Sequence, residues 1–233
     1  MMGSIVVGIW ALVVGSGFMN GFMVGYMKEA IDFDISNIQV HHPEFKQDYD
    51  IKYFIPNGRD KAEKMSTWEG VEAATTRSIA NGMIASPKKA TGVQIRGIDK
   101  VNEAKVTSLD SLIVEGAYFE GISRNPIVIG SKLAETLKTK VRSKLVLTFN
   151  DKNGNITSAA FRVAGIVKSA SLNINERNAY VLQEDLNKLL AAGNEIHEIA
   201  ILTKEGVQES DVVTNYKAIY SNDLVEDWRL IAP

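Results

Sequence analysis

An uncharged stretch of 26 residues near the start of the chain constrains the fold more than any other feature. It runs from Met2 to Met27 as MGSIVVGIWALVVGSGFMNGFMVGYM, and only Ser4, Ser16 and Asn20 are clearly polar. An apolar helix needs roughly 20 residues to cross the hydrocarbon core of a bilayer, and a helix buried in a soluble protein usually keeps charges on its outer face. The stretch therefore predicts a transmembrane helix. The alternative, a cleaved signal peptide, would begin with basic residues, and no Lys or Arg precedes Lys28.

A tetrapeptide repeat in the second half of this stretch predicts a helix-packing face. GFMN, GFMV and GYMK follow one another over residues 17–28. Residues four apart share a helix face, so Gly17, Gly21 and Gly25 form one smooth stripe. Small residues at this spacing let a second helix approach closely in a membrane. We expect the stripe to pack against a helix that this chain does not contain.

The predicted helix continues beyond the apolar stretch into a charged stalk. Residues 28–34 keep good helix formers, and the first proline is Pro43. A helix over residues 2–34 would be ~50 Å long, against a hydrocarbon core of ~30 Å, so its last turns must stand outside the membrane. The residues expected to couple the helix rigidly to the remainder of the chain are Lys28, Glu29, Ala30 and Ile31.

Composition excludes several classes of function. The formal net charge is −2 and the only basic run is Lys88-Lys89, which argues against nucleic acid as a partner. The chain contains no cysteine, so disulfides, thiolate metal sites and cysteine nucleophiles are excluded. The residues after the stalk suffice for one sizeable core or two small lobes.

The sequence offers no recognisable catalytic or cofactor-binding motif. No GxxxxGK[ST] phosphate loop, GxGxxG turn or GxSxG elbow occurs. The histidines are His41, His42 and His197, and the first two are adjacent on a predicted strand, so their side chains point to opposite faces and cannot hold one metal ion. We therefore expect no catalytic, cofactor or metal site and no enzymatic activity in this chain.

Hydrophobic periodicity predicts interleaved strands and helices, and hence a mixed α+β (α/β) class. We predict a loop over residues 44–58, and Asn-Gly pairs at 81–82 and 153–154 predict two hairpin turns. The predicted strands cover residues 36–42, 71–79, 82–85, 91–98, 126–130, 144–149, 161–167, 179–182, 196–202 and 224–231. The predicted helices cover residues 59–68, 131–137, 183–191 and 207–220.

The order of several short motifs resembles one family of membrane proteins. After the apolar helix and stalk come SNIQVHHP (36–43), VQIRGID (93–99), IVEGAYF (113–119), IVIGSKLAETL (127–137), FRVAGIVKS (161–169) and YVLQEDLNKLL (180–190). Together they resemble the first transmembrane helix and periplasmic core domain of MacB/FtsX-type ABC transporter permeases. The branch they resemble most is the lipoprotein-releasing LolC/LolE branch. Two segments depart from the family pattern, KVRS at 140–143, where a Gly-Asp pair is usual, and SASLNINERN at 169–178.

The resemblance implies an architecture as well as a fold. Permeases of this family have four transmembrane helices, with the large domain between the first and second, so the chain is expected to be a fragment. The implied division is a membrane helix and stalk at 1–34, a Porter-like lobe from 35–90 with 193–233, and a Sabre-like lobe at 91–192.

The implied function is that of a permease subunit that couples cytoplasmic ATP hydrolysis to movement in the periplasm, for lipoprotein release or export of amphiphilic cargo. The implied partners are a cytoplasmic ABC ATPase, a second permease copy in a homo- or heterodimer, membrane lipid, and a periplasmic chaperone or cargo protein. The implied location is the inner membrane, with the large domain in the periplasm. Two alternatives stay open at this point, a division-type FtsX-like permease that activates a cell-wall hydrolase, and a single-span sensor or enzyme.

Overall fold

The computed structural model describes residues 10, 12–19, 21, 33 and 35–231. Residues 12–19 are helical, and large apolar side chains on them are exposed, including Leu12 and Phe18. Within the described residues, no helix combines the length and the apolar character that a membrane crossing requires. Most of the Met2–Met27 stretch and of the predicted stalk lies outside the described residues, so the membrane helix stays a prediction.

The described part of the chain forms one ten-stranded sheet with helices packed on it, which confirms the mixed α+β class. The strands are β1 (Ile38–His41), β2 (Val71–Ala85), β3 (Ala90–Ile98), β4 (Ile113–Gly116), β5 (Pro126–Gly130), β6 (Lys144–Asn150), β7 (Ile156–Val167), β8 (Asn178–Leu182), β9 (Glu198–Thr203) and β10 (Leu224–Asp227). The α-helices are α1 (Phe45–Asp48), α2 (Gly58–Met65), α3 (Lys100–Thr107), α4 (Ser131–Leu137), α5 (Gln183–Leu190), α6 (Glu209–Ile219) and α7 (Trp228–Ile231).

Six of the strands close on themselves as a barrel. Each strand is hydrogen-bonded to two others in the ring β2–β3–β8–β5–β7–β6, and β6 returns to β2. The interior is filled by one apolar cluster, to which strand residues such as Ile95, Leu147 and Phe161 contribute with no exposed surface or almost none. Leucines of α4 and α5 complete this cluster. Closure leaves these strands few free edges and gives the barrel a dry, filled interior.

The remaining strands extend the sheet from the first half of β2. β9 pairs with β2 from Val71 to Arg77, β1 pairs with β9, and β10 pairs with β1 at the edge. We call this part the open sheet. Its apolar core is separate from that of the barrel and includes Ile38, Ile199 and Tyr216, with α2 and α6 packed against it.

A third apolar cluster covers the outside of the barrel wall at β5 and β8. Val128 and Tyr180 are cross-strand partners whose neighbours Ile127, Ile129 and Val181 face the barrel interior, so Val128 and Tyr180 face outward. The 3₁₀ turn over 109–112 and the segment around residue 119 lie over them.

The hairpin predicted at Asn81-Gly82 is wrong, because β2 runs through both residues without a turn. A Cβ at Gly82 would lie 2.5 Å from the carbonyl oxygen of Thr148 and 2.9 Å from Cβ of Phe149. Gly82 therefore permits the close approach of β6 that closes the barrel. The chain turns instead at 86–89, where the backbone N–H of Ser86 donates to the carbonyl of Lys89 at 2.8 Å.

The structure also differs from the sequence prediction at residues 44–58 and at the end of the last strand. The predicted loop at 44–58 contains the single helical turn α1, whose Phe45 is fully buried. The last strand ends at Asp227, because the Asp227 carboxylate accepts the backbone N–H of Arg229 at 3.0 Å and starts α7. The predicted hairpin at Asn153-Gly154 is confirmed, since β6 and β7 pair on either side of it.

Candidate functional site

The N-terminal segment joins the open sheet through Asn37, which binds both neighbouring parts of the chain. Its backbone N–H donates to the carbonyl of Ile201 at 3.1 Å, and its own carbonyl accepts the N–H of Trp228 at 2.9 Å. Its side-chain oxygen accepts the backbone N–H of Thr203 at 3.0 Å. Asn37 thus fixes the start of β1 to β9 and to the end of β10. We call Asn37 and these partners the N-terminal clamp.

The residues just before the clamp also contact the barrel. Phe33 is partly buried against the apolar cluster on the outside of the barrel wall. Ser36 is fully buried with a positive φ of 64°, and Gln39 donates a hydrogen bond to the carbonyl of Ile35 at 2.9 Å. The incoming chain is therefore held at two places, on the barrel wall at Phe33 and in the open sheet at Asn37.

At the other end of β1 lies a buried network of charged side chains. Arg77 donates to Glu103 through Nε, at 3.0 Å to each oxygen, and through Nη2 at 2.6 Å, and to Glu198 through Nη1 at 2.5 Å. The second oxygen of Glu198 accepts the Nε2–H of His41 at 2.9 Å. All four side chains are at most 3% exposed. We call His41, Arg77, Glu103 and Glu198 the buried ion network.

Pairing keeps Arg77 and Glu198 charged although they are excluded from water. Burial opposes the charged form of Arg77, but the facing carboxylates of Glu103 and Glu198 outweigh it and raise the pKa of the guanidinium. Burial likewise opposes the carboxylate of Glu198, yet Arg77 and His41 hold its pKa below the ordinary value. Losing one partner would leave another charge buried and unpaired, which is among the costliest changes that a protein interior can undergo.

A neutral histidine and an aromatic ring pack next to the network. The ring of Phe45 stacks between His41 at 5.8 Å and His197 at 5.0 Å. Nδ1 of His197 accepts the backbone N–H of Ile79 at 2.9 Å, so Nε2 carries the proton and donates to the carbonyl of Ile51 at 3.1 Å. Burial lowers the pKa of His197 to about 4. The hydrogen bond to the carbonyl of Ile51 acts in the opposite direction, but its effect is smaller.

Arg77 occupies the point where the barrel and the open sheet meet. Along β2 it is the last residue paired with β9, opposite Glu198, and the first paired with β3, opposite Ile98. The network therefore crosslinks β1, β9, β2 and α3 at the position where one strand passes from the open sheet into the barrel. Its buried ion pairs suit a mechanical joint, and no side chain of the network is open to a substrate.

Of the helix-packing and stalk residues predicted from the sequence, the structure describes two. Gly17 and Gly21 are described, and among the described residues nothing lies within 4 Å of a Cβ built at either position. Gly25 and the stalk residues lie outside the described residues, and these are Lys28, Glu29, Ala30 and Ile31. Their predicted roles stay predictions.

Neither the role of Asn37 nor the buried ion network is predicted by the sequence patterns. His41 was considered only as a metal ligand, and in the described residues no group of three or more His, Asp or Glu side chains is arranged to bind a metal. One signal was present in the sequence, since Arg77 is the only basic residue of the strand predicted at 71–79. Its partners are 26 and 121 residues away, a separation that periodicity cannot relate.

The family model of the MacB-like periplasmic core domain matches residues 1–219 of this sequence. The chain belongs to this family. No curated protein matches the sequence itself. The MacB-like family assignment confirms the resemblance to MacB/FtsX-type permeases and leaves the LolC/LolE branch untested.

Solved structures of MacB-like domains share the fold. The periplasmic region of MacB from Actinobacillus actinomycetemcomitans superposes with a TM-score of 0.56 at 14% identity, over 87% of this chain and 93% of that one. The extracellular domain of the noncanonic ABC-type transporter YknZ from Gram-positive bacteria gives a TM-score of 0.56 at 14% identity, over 82% of this chain and 99% of that one. The present chain is thus a MacB-like periplasmic core domain of an ABC-type transporter permease.

Proposed function

We propose that this domain transmits movement from a membrane helix to a periplasmic surface, driven by ATP hydrolysis in a separate cytoplasmic ABC subunit. The observation that carries the proposal is the attachment of the N-terminal segment. Phe33 rests on the barrel wall and Asn37 is hydrogen-bonded into the open sheet, so displacing the segment would displace both parts together. The start of β1 also pairs with the end of β10, Ile38 opposite Asp227, so the segments that flank the domain leave from the same side.

The proposed arrangement follows the expectation from the sequence. Residues 2–27 cross the inner membrane, and the stripe of Gly17, Gly21 and Gly25 packs against another transmembrane helix. Residues 28–34 form the stalk, with the domain in the periplasm and a second permease copy as partner. The chain itself hydrolyses no ATP, and the cargo is a lipoprotein or another amphiphile.

We further propose two lobes, formed by residues 35–90 with 193–233 and by residues 91–192. The separation of the apolar cores supports this division, since the open-sheet core draws only on residues before 72 and after 195. The second half of β2 is shared, because Ala80 and Ile84 belong to the barrel core.

A rigid stalk is the part of the proposal that can be tested directly. Replacing Ala30-Ile31 by Gly-Gly costs roughly 1 kcal/mol of helix stability per position and adds flexibility between membrane helix and domain. In vesicles containing the complete transporter and its ATPase, we expect ATP hydrolysis to continue while cargo release falls sharply.

The matched control replaces Lys28-Glu29 by Ala-Ala, which keeps the helix and removes the charges. It should release cargo at the normal rate. Normal release by the Gly-Gly variant would rule out the stalk as a lever, and ATP-dependent activation of a cell-wall hydrolase without cargo release would favour the division-type alternative.

A further inference from the structure

A basic groove lies at the end of the barrel farthest from the N-terminal clamp. It is formed by the β2–β3 turn and the segment between α4 and β6, and its volume is about 580 Å³. The side chains that line it include Ser86, Lys88, Lys138, Thr139, Lys140 and Lys144.

Positive charge is concentrated at this groove although the chain as a whole is slightly acidic. Residues 86–92 and 136–149 contain no Asp or Glu, while the formal net charge of the chain is −2. Within the part of the chain that the structure describes, none of their cationic side chains pairs with a carboxylate. These cations are Lys88, Lys89, Lys138, Lys140, Arg142 and Lys144.

Hydrogen bonds hold the two sides of the groove together. The hydroxyl of Ser86 donates to the carbonyl of Leu137 at 2.7 Å and joins the two sides, and the N–H of Arg142 donates to the carbonyl of Val163 at 2.7 Å. Lys138 and Arg142 both adopt left-handed backbone conformations, with φ of 50° and 69°. Glycine adopts this backbone conformation at a free-energy cost that is lower by roughly 1 kcal/mol. Backbone conformation alone would therefore favour glycine at these two positions, and the chain has a cation at each.

An exposed apolar strip continues from the groove along the outside of the barrel. Met83 is 53% and Val146 37% exposed, and Ala85 pairs directly with Val146. Lys144 lies two residues before Val146 on the same strand, so its side chain points to the same face. The opposite wall of the barrel, at β5 and β8, is covered by the apolar cluster that includes Phe33. No described segment covers the wall formed by β2 and β6, where the strip lies.

The distance from the clamp argues against the anchoring bilayer as the source of the negative charge. Ala74 is level with Ile38 through their shared partner Ile201. From Ala74 to Ala85, β2 extends about 35 Å at ~3.3 Å per residue. This is several times the Debye length of ~8–10 Å at physiological ionic strength. The electrostatic potential of charged lipids near the stalk would therefore be screened before it reached the groove. This step rests on the proposed membrane attachment.

We propose that the basic groove and the apolar strip form a docking surface for an acidic segment of a partner protein. Carboxylates of the segment pair with the lysines of the groove, and its apolar side chains lie on Met83 and Val146. The partner sits on the side of the domain away from the membrane, where movement of the domain would displace it. The surface is distinct from the buried ion network and from the N-terminal clamp.

The test measures binding of a fluorescent peptide of alternating glutamate and leucine to the purified chain. We expect saturable binding that weakens as salt is raised, and a loss of affinity of about tenfold or more in the double variant Lys88→Glu with Lys140→Glu. The matched control is Lys204→Glu with Lys217→Glu, which makes the same change in net charge on exposed lysines outside the groove and should bind almost normally.

Three outcomes would overturn the proposal. They are no binding, equal losses in the groove and control variants, and tighter binding to vesicles of anionic phospholipid than to the peptide. Lys88→Gln with Lys140→Gln supplies a milder change if the reversed charges disturb folding, and circular dichroism checks each variant. Because the assay uses the chain without its ATPase, its failure would leave the stalk experiment unaffected.

Discussion

The barrel and the open sheet differ in what lies at the centre of their packing. The barrel closes six strands around an interior cluster of apolar side chains. The open sheet ends at the short strand β10 and places a guanidinium and two carboxylates where it meets the barrel. A closed apolar barrel gains stability from area removed from water, whereas a buried ion network gains little net stability but tolerates only one arrangement of its members. The barrel is therefore a closed body that is joined to the open sheet by a connection in which each charged side chain needs its partner.

Removing the centre of the connection should have the largest effect. Arg77→Met leaves Glu103 and Glu198 buried without their cation, and we expect the free energy of unfolding to fall by about 3–5 kcal/mol. Arg162→Met, on the exposed face of the barrel, should change it by less than about 0.5 kcal/mol. Urea unfolding followed by circular dichroism measures both.

A triple variant sharpens the interpretation of that loss. Combining Arg77→Met with Glu103→Gln and Glu198→Gln removes the unpaired charges, so it should recover a substantial part of the lost stability. If the triple variant is less stable than Arg77→Met, the attraction within the network, and not the penalty of unpaired charge, dominates.

Acid should destabilise the domain through the buried histidine at the junction of the barrel and the open sheet. His197 has a pKa of about 4 in the fold against 6.5 unfolded, so between these values the unfolded chain binds the proton and the folded chain does not. Stability therefore falls as the pH is lowered from about 6.5 to 4, by at most about 3 kcal/mol from this residue. The pKa of Glu198 is lowered from 4.5, so the stability that its carboxylate contributes is lost as the pH falls below about 4.5.

Variants of two histidines isolate that contribution. His197→Gln should flatten the decline of the free energy of unfolding between pH 6.5 and 4, and His42→Gln should leave it nearly unchanged. An unaltered pH dependence in His197→Gln would assign the acid sensitivity to other groups.

The smallest expected effect is local to the N-terminal clamp. Asn37→Ala removes the acceptor of the Thr203 N–H, at a cost of about 1 kcal/mol. Hydrogen exchange should quicken at Thr203 and at β1 while the amides of β6 and β7 keep their protection. Ser158→Ala, which removes an exposed hydroxyl contact on the barrel, is the control. Equal acceleration throughout would mean that the two regions open as one unit.

Local patterns predicted much of the secondary structure correctly. The apolar run of β5 and the leucines at 133 and 137 of α4 are buried as periodicity indicates. The Asn153-Gly154 turn follows because a tight hairpin needs residues that tolerate positive φ, and Gly154 has φ of 81°. In each case, the controlling interaction lies within a few residues along the chain.

The sequence by itself determined the class, most of the strands and helices and, through its motifs, the family, but its patterns did not predict α3 or β4. Only the tertiary structure decided that Gly82 lies within a strand, because its constraint is the backbone of β6, more than 60 residues away. The same holds for the closure of the barrel and for the grouping of Arg77 with Glu103, Glu198 and His41. Contacts between distant segments depend on how whole strands are arranged in the sheet. The hydrophobic pattern of one segment does not specify which other segment it pairs with.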